Sequence, residues 1–366
     1  MDSRKTRPIA DSIEDLIGST PLIRLHFEDT APGTQVLAKL EAANPMSTSK
    51  DRAALYMLRA AEGRGELTPG SGTVIEATSG NTGISLAALC AARGYRCVIV
   101  LPDSATRERV ALLRALGAEV VRTPREQGYS GAIAKAEELH AATPGSWFPR
   151  QHENADNVRA HYETTGPEIW ADTEGRIDVL VCGVGTGGTL CGTAKYLKEK
   201  NPGIRVVAVE PENSPVLSQG TGGLHRIPGL NGGFVAPTTD VSLIDYVVTV
   251  TDEDALTAAR QLARRQGIFA GVSSGAVAHA SARLAAHPDY VGASIVTLLP
   301  DTGERYLSLW DEEEAAAARE QAARKPSAAR RPAAPQAVQG SPEKPQAQPQ
   351  AQDQTQDQSL ALTAKS

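Results

Sequence analysis

From Val36 to Leu299 the chain alternates short, largely apolar runs with segments of helical periodicity, and that alternation leaves few folds open. Strands that are apolar on both sides must be covered on both faces. Strand, helix, strand in that order gives a parallel sheet with helices above and below it. The spacing predicts strands at Val36–Leu40, Thr73–Ala77, Cys97–Leu101, Glu119–Arg122, Val179–Cys182, Val206–Val209 and Ile295–Leu299. It predicts helices at Asp51–Arg64, Thr82–Arg93, Thr106–Leu116, Gly131–Ala142, Val158–Trp170, Gly188–Lys200, Asp252–Gln266 and Ser274–Ala286. Gly94 and Gly117 follow two of these helices and are natural C-terminal stops. Two such series meet near residues 145–155. The expected architecture is therefore two three-layer α/β domains, residues 13–150 and 151–310, with the first strands able to cross into the other domain. Ligands in such sheets gather at the carboxyl ends of the strands.

Beyond about residue 325 the character changes. Pro and Ala dominate, and nine Gln fall between 336 and 358. Few large apolar side chains remain to offset the entropy of ordering. A disordered tail is expected there, after a short exposed helix over Asp311–Arg324 whose acids come first and arginine last. Residues 311–366 are thus not expected to add a folded domain.

The net charge of −6 argues against nucleic acid or an anionic membrane as the main partner. No run approaches the roughly 20 apolar residues of a membrane-spanning helix, and the first residues lack an apolar signal core. The four cysteines, Cys90, Cys97, Cys182 and Cys191, form no CxxC and sit in or beside apolar runs. They read as buried free thiols, with no metal site, in a reducing cytoplasm.

Three constellations carry chemistry. Thr78-Ser79-Gly80-Asn81-Thr82-Gly83 lies between a strand and a helix. It offers hydroxyls, an amide and backbone donors to a small anion; an ordinary capping turn is the alternative. Val184-Gly185-Thr186-Gly187-Gly188-Thr189 is a second such turn. Gly183, Gly185 and Gly188 also fit a dinucleotide fingerprint, with Glu210 ending the next strand, so nucleotide, other phosphate and simple tight turn all stay open at this point. Lys50 stands at the start of a helix, behind Ser47, Thr48 and Ser49. A cation there opposes the helix dipole, which lowers its pKa and favours the neutral amine that carbonyl chemistry needs. Asp51 and Arg52 read as structural. Two anion cradles with one helix-start lysine suit a phosphate-bearing cofactor that reacts with an amine. Ala270-Gly271-Val272-Ser273-Ser274-Gly275 adds a hydroxyl-bearing turn before a helix.

With these residues in view, the chain resembles the cysteine synthase (O-acetylserine sulfhydrylase) and cystathionine β-synthase family of fold type II pyridoxal-phosphate enzymes. The resemblance runs from about Ile13 to Trp310. It includes Ile17-Gly18-Ser19-Thr20-Pro21-Leu22, Ser49-Lys50-Asp51-Arg52, the 78–83 loop, Thr164-Thr165-Gly166-Pro167-Glu168-Ile169-Trp170, Gly185–Thr189, Gly271–Gly275 and Gly303-Glu304-Arg305-Tyr306-Leu307. It implies pyridoxal 5′-phosphate as cofactor and Lys50 as the Schiff-base lysine. Gly185, Thr186, Gly187, Gly188 and Thr189 are implied as the phosphate cradle. Asn81 is implied on the cofactor's 3′ oxygen, and Ser273, in preference to Ser274, on the ring nitrogen. Thr78, Ser79, Gly80 and Thr82, helped by Gln151, are implied to grip the substrate carboxylate.

The implied reaction is β-replacement on an activated L-serine, with O-acetyl-L-serine and sulfide giving L-cysteine and acetate. Lys50 would move the α-proton. Most such proteins are homodimers, and serine acetyltransferase docks in the cleft of some. A catalytically silent relative that only binds that partner is one alternative. Another is a β-replacement with a different nucleophile or activated serine, giving a non-protein amino acid or cystathionine. That second alternative rests on departures from the family pattern. The segment usually reading Asn-Pro-Gly-Gly/Ala-Ser-Val-Lys is here Asn44-Pro45-Met46-Ser47-Thr48-Ser49-Lys50. The usual Gln-Phe is Gln151-His152, and the usual Gly-Ile-Gly-Ala-Gly-Phe is Gly229-Leu230-Asn231-Gly232-Gly233-Phe234. Met46, His152 and Asn231 are therefore the specificity candidates.

Overall fold

In the computed structural model, residues 9–78, 80–311 and 363–364 are described. The strands are β1 (Leu22–Leu25), β2 (Gln35–Leu40), β3 (Thr73–Ala77), β4 (Arg96–Pro102), β5 (Glu119–Thr123), β6 (Ser146–Trp147), β7 (Val179–Gly183), β8 (Arg205–Pro211), β9 (Tyr246–Val250), β10 (Ser294–Leu299) and β11 (Thr363–Ala364). The helices are α1 (Lys50–Gly63), α2 (Asn81–Arg93), α3 (Arg107–Ala115), α4 (Gly128–Ala142), α5 (Ala155–Ala160), α6 (Gly166–Asp172), α7 (Gly188–Lys200), α8 (Asp252–Gln266) and α9 (Val272–Ala286).

They build two sheets. The smaller has the order β5-β4-β3-β6 and is wholly parallel. The larger has the order β1-β2-β10-β7-β8-β9-β11 and is parallel from β2 to β9. The first two strands lie in the larger sheet, with β2 beside β10 in parallel register and β1 antiparallel on its outer side. β10 is buried along its whole length. Each apolar side chain sealed there contributes roughly 1.5–3 kcal/mol.

The local signals explain most boundaries. Thr251 caps α8 by accepting from Asp254 N, acids fill its first turn, arginines its last, and Gly267 at φ +69° ends it. Gly94 at φ +74° ends α2 in the same way. The expected helix over Val158–Trp170 is instead α5 and α6 joined by a π-helical turn at His161–Thr165. Four strands lie outside the expected set, the two-residue β11 among them. β1 has a half-exposed pattern, β6 has only two residues, and β9 was passed over.

Separate apolar cores support the two sheets. One, around Leu58, Ile84, Leu86 and Ile99, seals α1 and α2 onto β3 and β4. Another, around Leu180, Leu190, Leu197 and Val206, seals α7 onto β7 and β8. The short helix expected over Asp311–Arg324 and the tail after 325 lie outside the described residues, except for Asp311, which is helical, and Thr363–Ala364, which pair antiparallel with Val247 and Tyr246 of β9.

Candidate active site

The carboxyl ends of β3, β7 and β10 converge on a cavity of about 310 Å³. Lys50, Thr78, Gly80, Asn81, Thr82, Gln151, His152, Gly185, Thr186, Gly187, Thr189, Asn231 and Ser273 all line it. Residues from sequence positions 50 to 273 thus meet in one place, those at 78–82 and 185–189 in turns that follow β3 and β7.

Lys50 is the first residue of α1. The segment before it is pinned to the larger sheet, where Ser49 N donates to Pro300 O at 2.9 Å and Thr48 bridges Asp301. The lysine is therefore held over the end of β10 while its helix packs with the smaller sheet. Burial holds its ammonium below the ordinary lysine pKa, and the charges of Asp301 and Glu41 oppose that shift. Desolvation is the largest cause. Asp51 turns away from the cavity to accept from Ser85 Oγ at 2.5 Å and Met46 N at 2.7 Å. Its carboxyl is pushed up to about 6 by burial.

Arg52 is wholly inside. It donates to Glu41 at 2.8 Å through both Nε and Nη2, and to Glu168 at 2.6 and 2.8 Å. Lys39 reaches Glu168 at 3.0 Å and Asp172 at 2.9 Å. This network fastens the lysine-bearing helix to the larger sheet and α6.

Around the second glycine turn, three glycines permit contacts no other residue would. A Cβ on Gly185 would lie 2.4 Å from the Gly229 carbonyl oxygen. On Gly187, whose φ is +81°, it would lie 2.1 Å from Thr239 Oγ1, and on Gly188 2.2 Å from Asn157 Oδ1. The N–H groups of Gly185, Thr186 and Gly187 have no acceptor among the described residues, and they precede the N-terminus of α7. Thr186 Oγ1 accepts from Asn157 Nδ2 at 2.9 Å, so its own proton is free to donate inward. Thr189 Oγ1 meets His161 Nε2 at 3.1 Å, and His161 Nδ1 meets Thr165 Oγ1 at 2.9 Å. Burial holds His161 well below its ordinary pKa. Unsatisfied donors at a helix start, tightly cradled, fit a phosphate dianion.

Across the cavity, Thr82 Oγ1 donates to Gln151 Oε1 at 2.5 Å. The Gln151 amide nitrogen is thereby left as the donor end. Thr78 Oγ1 accepts from Gly80 N at 3.1 Å. Ser79 lies outside the described residues. Tyr129, which the sequence reading missed, lines the same wall and donates to Ala77 O at 2.7 Å.

Ser273 and Ser274 separate cleanly. Both are buried, but Ser273 lines the cavity and Ser274 does not. The Ser273 hydroxyl stands near the Gly229 backbone, where a Cβ would come within 3.7 Å of it.

The specificity candidates fare unequally. His152 lines the cavity between the rings of Tyr129 and Phe234, at centroid distances of 5.5 and 5.3 Å. Its Nδ1 is buried without a partner, and burial, with the charge of Lys50, lowers its pKa to about 4. Met46 does not line the cavity; its side chain packs on the smaller sheet's core. Asn231 lines it, but its amide accepts from Ser214 Oγ and Gly233 N and donates to Ser214 O. It braces the 214–233 loop, and only one N–H is left for a ligand. No group of three or more potential metal-ligating side chains occurs among the described residues. All four cysteines are buried and free, and no helix there is long and apolar enough to cross a membrane.

Set against known proteins, residues 13–301 match the family profile described as pyridoxal-phosphate dependent enzyme. The chain is 45% identical over 299 residues to a cysteine synthase of Staphylococcus aureus, a match covering 81% of this chain and 96% of the relative. Its structure is similar to the cysteine synthase of Entamoeba histolytica, with a TM-score of 0.80 at 39% identity, covering 84% of this chain and 92% of that one. It is equally similar to an O-ureido-L-serine synthase, with a TM-score of 0.80 at 43% identity, covering 85% and 100%.

Proposed function

The chain belongs to the pyridoxal-phosphate dependent enzyme family, and on that premise we propose that it catalyses β-replacement on O-acetyl-L-serine, with sulfide as nucleophile and L-cysteine and acetate as products. The observation that carries this reading is the convergence of Lys50, the 78–82 turn and the Gly185–Thr189 cradle on one cavity.

The bound cofactor supplies a carbonyl that takes up the substrate amine and an electron-withdrawing ring that labilises the α-proton and the β-substituent. The Gly185–Thr189 N–H groups and the Thr186 and Thr189 hydroxyls would hold its phosphate. The Ser273 hydroxyl would face the ring nitrogen, and Asn81 the 3′ oxygen. Thr78, Gly80 and Thr82, with the Gln151 amide, would hold the substrate carboxylate and so aim the Cα–H bond. Lys50, whose ammonium burial disfavours, would take the α-proton and return it after the nucleophile has added. Cα–H removal is then a transfer between two atoms already in place, which is where positioning gains most. We assign the active form as a cytoplasmic homodimer, with residues 13–150, apart from β1 and β2, as one domain and residues 151–310 with those two strands as the other.

One observation favours a second nucleophile. His152 lines the cavity as a neutral polar ring whose buried Nδ1 has no hydrogen-bonding partner, and a nucleophile larger and more polar than sulfide would pack against that ring. The test is to load the chain with pyridoxal phosphate, add O-acetyl-L-serine, and supply sulfide or hydroxyurea in separate reactions. L-cysteine as the dominant product supports the main reading. A ureido amino acid formed faster than cysteine overturns the choice of nucleophile. No product with either overturns the proposed reaction.

A further inference from the structure

Asn81 is the first residue of α2, at the end of the smaller sheet's β3. Its side chain is gripped from the larger sheet. Nδ2 donates to Asp301 Oδ2 at 2.8 Å, and Oδ1 accepts from Arg305 Nη1 at 2.6 Å. These partners leave no ambiguity about which end of the amide is which. A carboxylate can only accept and a guanidinium can only donate. Both partners are themselves fixed. Tyr306 Oη donates to the same Asp301 oxygen, and Arg305 Nη2 to the Met46 carbonyl. Arg109 stacks over the Tyr306 ring at 4.9 Å. Asp301 and Arg305 are buried, and Gly271 is glycine because a Cβ there would lie 2.1 Å from Asp301 Oδ1.

We propose that Asp301 and Arg305 are positioning residues that lock the Asn81 amide as a hydrogen-bond donor towards an anionic oxygen on the bound cofactor. The proposal rests on the reading that Asn81 faces the cofactor's 3′ oxygen. One Nδ2–H is used by Asp301, and Asn81 lines the cavity, so the other is the proton it has to give. Arg305 draws electron density from Oδ1, which strengthens the N–H as a donor and weakens the oxygen as an acceptor. An amide free to flip would present either end. The locked amide presents one, and so selects the ionised oxygen over the hydroxyl. The same pair ties α2 to the segment after β10, against which Ser49 and Lys50 are seated. The donor and the lysine amine thus share one frame.

The test uses the full chain loaded with pyridoxal phosphate, read by its visible absorption band and by the cofactor Kd from fluorescence titration. The variants are Asn81→Ala, Asp301→Asn, Arg305→Gln, and the last two each combined with Asn81→Ala. Arg305→Lys, which keeps charge and one donor, guards against loss of the fold, and circular dichroism reports folding for all. The expected result is a shifted band in Asn81→Ala, the same direction of shift in Asp301→Asn and Arg305→Gln, and a Kd raised roughly 10- to 100-fold in each. Arg305→Lys should fall between wild type and Arg305→Gln. In the Asn81→Ala background the other substitutions should shift the band no further. A shifted band in Asn81→Ala with unshifted bands in Asp301→Asn and Arg305→Gln overturns the proposal and leaves the parent reading standing. Additive shifts in the double variants also overturn it. An unshifted band in Asn81→Ala overturns the parent reading and the proposal together.

Discussion

Replacing Arg52 by Met should destabilise the fold by about 3–5 kcal/mol, the range for removing one member of a buried ion network. The geometry sets this figure. Arg52 and Glu41 have fully buried side chains, and Glu168 is about 20% exposed. With Lys39 and Asp172 the cluster holds two positive and three negative groups. Removing the arginine leaves Lys39 paired with Glu168 and Asp172 and leaves Glu41 without an ion-pair partner. Glu41 then keeps only Thr20 Oγ1 at 2.7 Å and Asn44 Nδ2 at 2.9 Å. Methionine fills much of the volume, so the loss reports charge and hydrogen bonding rather than a cavity. The assay is urea unfolding followed by tryptophan fluorescence. With m of about 3 kcal/mol/M the midpoint should fall by more than about 1 M. Adding Glu41→Gln to Arg52→Met should recover part of the loss, because the stranded charge goes with it. A change below about 1 kcal/mol, the size of an exposed pair, would refute the view that this network fixes the lysine-bearing helix. Kinetics should follow: a displaced α1 misplaces Lys50, so kcat should drop more than KM rises.

Three further outcomes are expected. Gly187→Ala should raise the cofactor Kd by at least about tenfold, because φ +81° and a Cβ 2.1 Å from Thr239 Oγ1 force the cradle to shift; fluorescence titration checks it, and an unchanged Kd would contradict it. Burial pushes the Glu76 carboxyl from 4.5 up to about 8. Between those values the folded state keeps a proton the unfolded chain has lost, so stability falls as pH rises through that window and stays low above it. Glu76→Gln should abolish the slope and be the more stable form above about pH 8, by at most about 5 kcal/mol; identical Tm-against-pH curves would count against this. His152, at about 4, should remain neutral through the neutral range. His152→Asn should then leave the shape of the pH–rate profile there unchanged, and loss of an inflection near neutrality would show the histidine titrating.

Much of this was written locally in the chain. α8 and α7 have the bounds that Thr251, Gly267 and the 185–188 glycines dictate. The two anion-cradling turns and Lys50 were legible because each sits directly beside an apolar strand or a capping run. What escaped the sequence was long-range. Nothing near Asn81 announces Asp301 and Arg305, which lie more than 200 positions away and meet it only because β3 and β10 end at the same cavity. The same holds for β1 and β2, whose alternation does not say which sheet they join. Met46 misled for a related reason, and Asn231 has only part of its amide left for the cavity. Both depart from the family pattern, but one is drawn into the smaller core and the other into bracing a loop. His152 lines the cavity while its buried Nδ1 has no hydrogen-bonding partner.

The central claim is that Lys50 is the amine through which this chain turns over an activated serine. Cysteine formation from O-acetyl-L-serine and sulfide, measured on the chain and on Lys50→Ala after both are incubated with pyridoxal phosphate, tests it most directly. The account predicts sustained cysteine formation by the first and a loss of at least about 10³-fold in the second, the scale of removing a general base. Turnover by Lys50→Ala at the rate of the unaltered chain would contradict it.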